Sequence, residues 1–77
     1  MSLHLCEVII RDTKESIKFY EIELVDRPVF GFVDYDAIRI ARYRACKQFE
    51  QELKYTPSLR KLVNDRDWCI DSVVVIS

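Results

Sequence analysis

The sequence predicts a single α+β domain, a small and mainly antiparallel sheet packed on one long and one short helix. Three observations carry that expectation. Residues 3–10, "LHLCEVII", are β-branched and apolar with one charge, which is strand composition. Over residues 35–55, Ile38, Ala41, Ala45, Phe49 and Leu53 recur at helical spacing and make a core stripe. Residues 68–76, "WCIDSVVVI", return to strand composition.

Charged and turn-compatible residues at 11–15, "RDTKE", end the first strand. The next stretch, "SIKFYEIELV" at 16–25, is open to two readings. As a strand it sets Ile17 and Phe19 on one face, with Tyr20, Ile22 and Leu24 on the other. As a helix it starts well, because Asp12 can cap and Glu15 can complete a capping box. Phe19 and Ile22 would then lie off the Ile17, Tyr20, Leu24 stripe. Aromatic and β-branched content favours the strand, and residues 3–25 then form a β-hairpin. "DRPVFGFV" at 26–33 reads as extended, since Pro28 cannot donate to a ladder and Gly31 loosens the chain. Asp34 or Asp36 suits the N-terminus of the long helix, where a side-chain acceptor and a negative charge are both favoured. Thr56 and Pro57 restart a short helix as cap and first-turn residue, with Leu59, Leu62 and Val63 turned inward and Asn64 as its exit. The last half of 68–76 is apolar on both faces, a pattern that asks for cover on both sides.

With 77 residues, 49% of them hydrophobic, and no linker or repeat, residues 1–77 read as one compact domain. A chain of this size buries only about 60–65% of its unfolded surface, so a stability of a few kcal/mol is expected. A net charge of −1 and a pI near 5.8 count against a dedicated nucleic-acid binder. Cys6, Cys46 and Cys69 are widely spaced with no C-x-x-C pair, a usage that suits the reducing cytoplasm. Nothing near residue 1 reads as a secretory leader, and no stretch approaches the roughly 20 apolar residues of a membrane span.

Chemistry-bearing patterns are scarce. One glycine forbids a Gly-rich phosphate cradle, and with His4 the sole histidine no zinc-ligand spacing appears. Neither a metal nor a cofactor is expected. His4 and Cys6 would share a strand face, yet no orienting acid or oxyanion donor accompanies them, and Cys6 reads as core. Asp65, Asp67 and Asp71 read as a solvated turn before a strand. No enzymatic activity is expected.

The sharpest feature is "RIARYRACK" at 39–47. On a helical wheel Arg39, Tyr43, Lys47 and Lys54 lie on the polar face, where cations can track phosphates and Tyr43 can stack on a base. Asp36, Glu50 and Glu52 flank these cations, and Lys47 is within reach of Tyr43 and Glu50, so a solvated helix face accounts for most of the run. Arg42 falls inside the apolar stripe and must reach a carboxylate or snorkel past the core edge. Ile40 lies on the polar side near Tyr43, and a hydrophobe and an aromatic among arginines is interface composition. Arg39, Ile40, Tyr43, Arg44 and Lys47 are therefore the expected contact surface for another protein.

The pattern Asp12-x-x-x-Ser16-x-x-Phe19-Tyr20-x-x-x-Leu24, preceded by an apolar strand, resembles the first strand–helix unit of glyoxalase-type (vicinal oxygen chelate) metalloenzymes. The resemblance covers about a quarter of the chain. It implies a helix over residues 13–24 and a metal ligand from the upstream strand, for which His4 is the nearest candidate. The sequence departs from the family in three ways. His4 sits one position off the usual spacing, Val25 stands where a glycine normally follows, and helices replace the further strands that the module needs.

The expected function is that of a small non-enzymatic protein-binding module: an adaptor, inhibitor or accessory factor of the kind viruses and mobile elements encode. The alternatives are a nucleic-acid-binding module using the basic helix 39–54, and a glyoxalase-like metal-dependent enzyme fragment. Two helices cover one face of a sheet whose strands are apolar on both, so a homodimer is also expected, with Tyr20, Ile22 and residues 29–33 near the contact.

Overall fold

The computed structural model describes residues 2–24, 35–64 and 66–75. The chain forms β1 (Ser2–Ile10), β2 (Glu15–Leu24), α1 (Tyr35–Tyr55), α2 (Pro57–Val63) and β3 (Trp68–Val75). The three strands make one antiparallel sheet in the order β2-β1-β3, so β1 is central and β2 and β3 are edges. Both helices lie on the same side, which gives the α+β architecture expected from the sequence.

Register explains which residues the helices cover. Cys6 stands opposite Tyr20 on one side and Val73 on the other, and His4 stands opposite Ile22. His4, Cys6 and Val8 therefore share a face with Tyr20, Ile22 and Leu24. The two readings of residues 16–25 resolve in favour of the strand. Tyr20, Ile22 and Leu24 are 6%, 3% and 7% exposed, whereas Phe19 between them is 54% exposed. Only a period of two produces that alternation. The helix over 13–24 that the glyoxalase-type resemblance implies is not formed.

Two bulges modify the simple pattern. Pairing with β2 passes from Val8↔Lys18 to Ile9↔Ser16, which leaves Ile17 as the extra residue. Ile17 consequently packs against the core instead of joining Phe19 on the opposite face. Pairing with β3 passes from Glu7↔Ser72 to Val8↔Ile70, so Asp71 is extra and Ile70 and Val73 both reach the core side.

The hairpin turn at 11–14 closes with a Lys14 amide donating to the Ile10 carbonyl at 2.8 Å. Lys14 adopts φ 61°, the left-handed region that a side chain with a Cβ resists. Relief of that strain, about 1–2 kcal/mol, outweighs the roughly 0.5–1 kcal/mol of backbone entropy that glycine adds to the unfolded chain. Lys14→Gly should therefore raise stability by about 0.5–1 kcal/mol, seen as a higher thermal midpoint; a lower one would show that the Lys14 side chain holds the turn. The turn is tied to the segment before β3: the Arg11 amide donates to the Asp67 carbonyl at 2.6 Å, and Arg66 Nη2 donates to Thr13 Oγ1 at 3.2 Å.

On α1, Ala41, Ala45 and Phe49 are fully buried, with Leu53 packed beside them. Two alanines let the helix approach the sheet closely, and Phe49 fills the space beyond them. Its ring meets Trp68 edge-on, with centroids 4.6 Å apart and planes at 69°. Asp34 and the side chain of Asp36, the expected caps, lie outside the described residues.

Thr56 stands at the N-cap of α2 with Pro57 after it, but its hydroxyl makes no capping bond. Its amide instead donates to the Glu52 carbonyl at 2.8 Å, continuing the bonding of α1. Leu59 and Val63 turn inward, one helical turn apart. Leu62, expected inward, is 52% exposed, because a seven-residue helix resting on one line of contact covers only one such pair. Tyr20 and Ile22 are likewise corrected: they lie beneath the chain's own helices and offer no dimer contact. Residues 29–33 lie outside the described residues.

Candidate functional site

The five expected contact residues share one side of α1, as their spacing requires. Ile40 and Tyr43 are 43% and 63% exposed, and Arg39 is exposed beside them. The neighbouring cations are engaged within the chain. Arg44 Nη1 donates to the Glu23 carbonyl of β2 at 3.4 Å. Lys47 Nζ lies 3.6 Å from Glu50 Oε2 and 5.5 Å from the centroid of the Tyr43 ring.

Arg42 reaches past the core edge as its place in the apolar stripe demands. Its acceptor is a backbone oxygen, the Ile70 carbonyl of β3, and not a carboxylate. One helix thus contacts the backbones of both edge strands, β3 through Arg42 and β2 through Arg44. Arg42→Ala should cost about 1–2 kcal/mol, since it removes a charged donor from a part-buried carbonyl. Lys47→Ala, which breaks only an exposed i,i+3 pair, should cost a few tenths. Equal urea midpoints for the two variants would show that Arg42 does not tie helix to sheet.

His4 and Cys6 share the helix-covered face, 1% and 0% exposed. Burial pushes the Cys6 thiol above its ordinary range, and the Arg42 charge only partly opposes this. A protonated, enclosed thiol is a poor nucleophile. Among the described residues neither ring nitrogen of His4 has a hydrogen-bond partner. Cys46 is raised by burial and then by the Glu50 carboxylate, 3.7 Å away. Cys69 stands opposite Ile9 near the hairpin turn. Among the described residues no three His, Cys, Asp or Glu side chains converge in a group that could hold a metal ion. Asp67 pairs with Arg11 at 3.3 Å, and Asp65 lies outside the described residues.

Where β2 meets α1, the Tyr20 hydroxyl donates to Glu52 Oε2 at 2.5 Å, and Lys18 Nζ lies 3.7 Å from the same oxygen. Burial and then this carboxylate push the Tyr20 hydroxyl far above its ordinary range, so it acts as a donor and not as a base. A shallow depression beside it is lined by Gln48, Gln51, Glu52, Tyr55 and Thr56.

The opposite face of the sheet has a different character. Phe19 on β2 and Val74 on β3 are 54% and 53% exposed, and Leu3 and Leu5 of β1 are half-buried between them. Glu7 sits in this field on the central strand. The Ser16 hydroxyl from β2 and the Ser72 hydroxyl from β3 both donate to its carboxylate, the latter at 2.8 Å. These two donors, Ser16 first, hold the Glu7 carboxyl below the usual carboxylate range. The sequence implies a second apolar face uncovered by the helices but sets Tyr20 and Ile22 at its contact, and the Glu7 cluster was missed. Its signal was the alternation of Leu3, Leu5, Glu7 and Ile9, but register was needed to place Ser16 and Ser72 around Glu7.

Fold and surfaces together define a two-layer α+β domain: a three-stranded antiparallel sheet with helices on one face and the other face uncovered by either helix. Comparison with protein-family models, curated proteins and solved structures finds no match for this chain. Among the described residues no helix is long and apolar enough to cross a membrane.

Proposed function

We propose that the chain is a non-enzymatic protein-binding module that contacts its partner mainly through the open face of the sheet. The observation that carries this reading is the pair Phe19 and Val74, each more than half exposed on strands flanking β1. Aromatic and aliphatic side chains presented together on a flat face are interface composition, and the field they form with Leu3 and Leu5 has no covering helix. The α1 patch of Arg39, Ile40, Tyr43, Arg44 and Lys47 is a second contact surface, supported by the exposure of Ile40 and Tyr43. The intramolecular contacts of Arg44 and Lys47 weigh against phosphate tracking by that helix. Three free cysteines fit a reducing compartment such as the cytoplasm.

Affinity capture from a cell extract tests the reading with wild type, a Phe19→Ser/Val74→Ser variant and an Ile40→Ser/Tyr43→Ser variant, each first shown to be folded. A protein held by wild type should be lost from the sheet-face variant and held less tightly, though still captured, by the helix variant. Equal retention by all three, or by none, rejects the proposal. Binding to mixed DNA and RNA should show no steep dependence on salt; a steep one would support phosphate recognition instead. A homodimer would use the same open face, and sedimentation equilibrium at micromolar concentration reads it directly as twice the chain mass.

A further inference from the structure

We infer that the open sheet face is built for a cationic, apolar segment of a partner protein, with Glu7 as the anchor for an arginine or lysine side chain lying against Phe19. This rests on the protein-binding reading and adds the chemistry of the partner. The first support is how charge divides between the layers. The strands carry five acids, Glu7, Glu15, Glu21, Glu23 and Asp71, and a single cation, Lys18. The helices carry seven cations against three acids. Lys18 is taken up by Glu52 at the helix-covered side. The strands therefore place carboxylates and no cation on the open face, and such a field steers and selects a positively charged partner.

The second support is the geometry around Glu7. Hydroxyls from both neighbouring strands hold its carboxylate in place, yet among the described residues it has no cationic partner. An ionised carboxylate offers about four acceptor sites, and two hydroxyls leave the others open. Phe19 is the direct cross-strand neighbour of Glu7, and directly opposed side chains start only about 4.5–5.5 Å apart. A carboxylate beside an exposed ring matches a guanidinium, which accepts a charge-assisted pair and an aromatic face together. Glu21 and Glu23 stand opposite Leu5 and Leu3, so acids border the apolar strip along β2.

A second copy of this chain fits the face less well. Stacking two open faces would bring Glu7, Glu21 and Glu23 against the same three carboxylates. Seating the face head-to-tail on another copy's α1 would call on Arg44 and Lys47, which already have partners.

The test is panning a random dodecapeptide display library on the full chain, followed by titration of the recovered peptides. Arginine or lysine beside apolar residues should be enriched. Glu7→Gln, which keeps the side-chain shape, should weaken the best peptide about tenfold or more, as loss of a charge-assisted contact implies. Leu62→Ser, at an exposed position of α2 outside both contact surfaces, should leave it unchanged. Replacing the peptide's own cation with glutamine should weaken binding to wild type equally, which requires no protein variant to fold. Recovery of no peptide, no cationic enrichment, or equal binding by Glu7→Gln overturns the inference. Peptides that need Phe19 but no cation would reject the anchor while leaving the protein-binding face standing; peptides indifferent to Phe19 would reject both. Self-association that hides Phe19 and Val74 would replace the foreign segment with a second copy and overturn it as well.

Discussion

Phe49→Ala should lower the free energy of unfolding by about 3–5 kcal/mol, the cost of lost transfer energy plus the cavity left behind. Phe49 is fully buried, and its stripe neighbours Ala41 and Ala45 are too small to collapse into the space. Its edge-on contact with Trp68 is lost in the same step. A domain this small has on the order of 5 kcal/mol in all, so the variant should be close to unfolded at 25 °C. Urea denaturation followed by circular dichroism reads the change. Phe19→Ala, at a position 54% exposed, is the control and should cost well under half as much. An unchanged midpoint for Phe49→Ala would refute the packing of α1 on the sheet.

The second large effect has the opposite sign. His4 is 1% exposed on the same strand face as Cys6 and opposite Ile22, and among the described residues both ring nitrogens are unpartnered. A buried polar group without a partner costs about 1–3 kcal/mol, and leucine fills a similar volume without that cost. His4→Leu should therefore stabilise the fold by about 1–3 kcal/mol, visible as a higher urea midpoint with an unchanged slope. Destabilisation would show that the imidazole makes a polar contact that holds the core together.

Much of the architecture was legible because it rests on local periodicity. The stripe from Ile38 to Leu53 set the limits of the long helix, and α1 runs over Tyr35–Tyr55. Alternation around Phe19 and Tyr20 outweighed the capping-box signal of Asp12 and Glu15, because a helix there would have scattered the apolar residues. The errors arose where non-local pairing overrides periodicity. A bulge returned Ile17 to the core side, and a single line of contact left Leu62 outside. The candidate surface on α1 was visible as a composition, but the sheet carbonyls that engage Arg42 and Arg44 were not. Glu7 was an ordinary strand acid until its two hydroxyl donors, nine and 65 positions away in sequence, came together around it.

By itself the sequence determined that two sets of apolar residues line each strand, that one helix carries an apolar stripe, and that acids concentrate in strands and cations in helices. Alternation with a period of two is unchanged when the two faces are exchanged, so it cannot say which face is covered. The tertiary structure decided that. By laying α1 and α2 over Cys6, Tyr20 and Ile22, it buried two of the residues expected at a dimer contact, Tyr20 and Ile22, and left Phe19, Val74 and Glu7 outside. The cause is long-range strand pairing, which seats β3 beside β1 and so closes the apolar Ile70–Val73 side under the same helices.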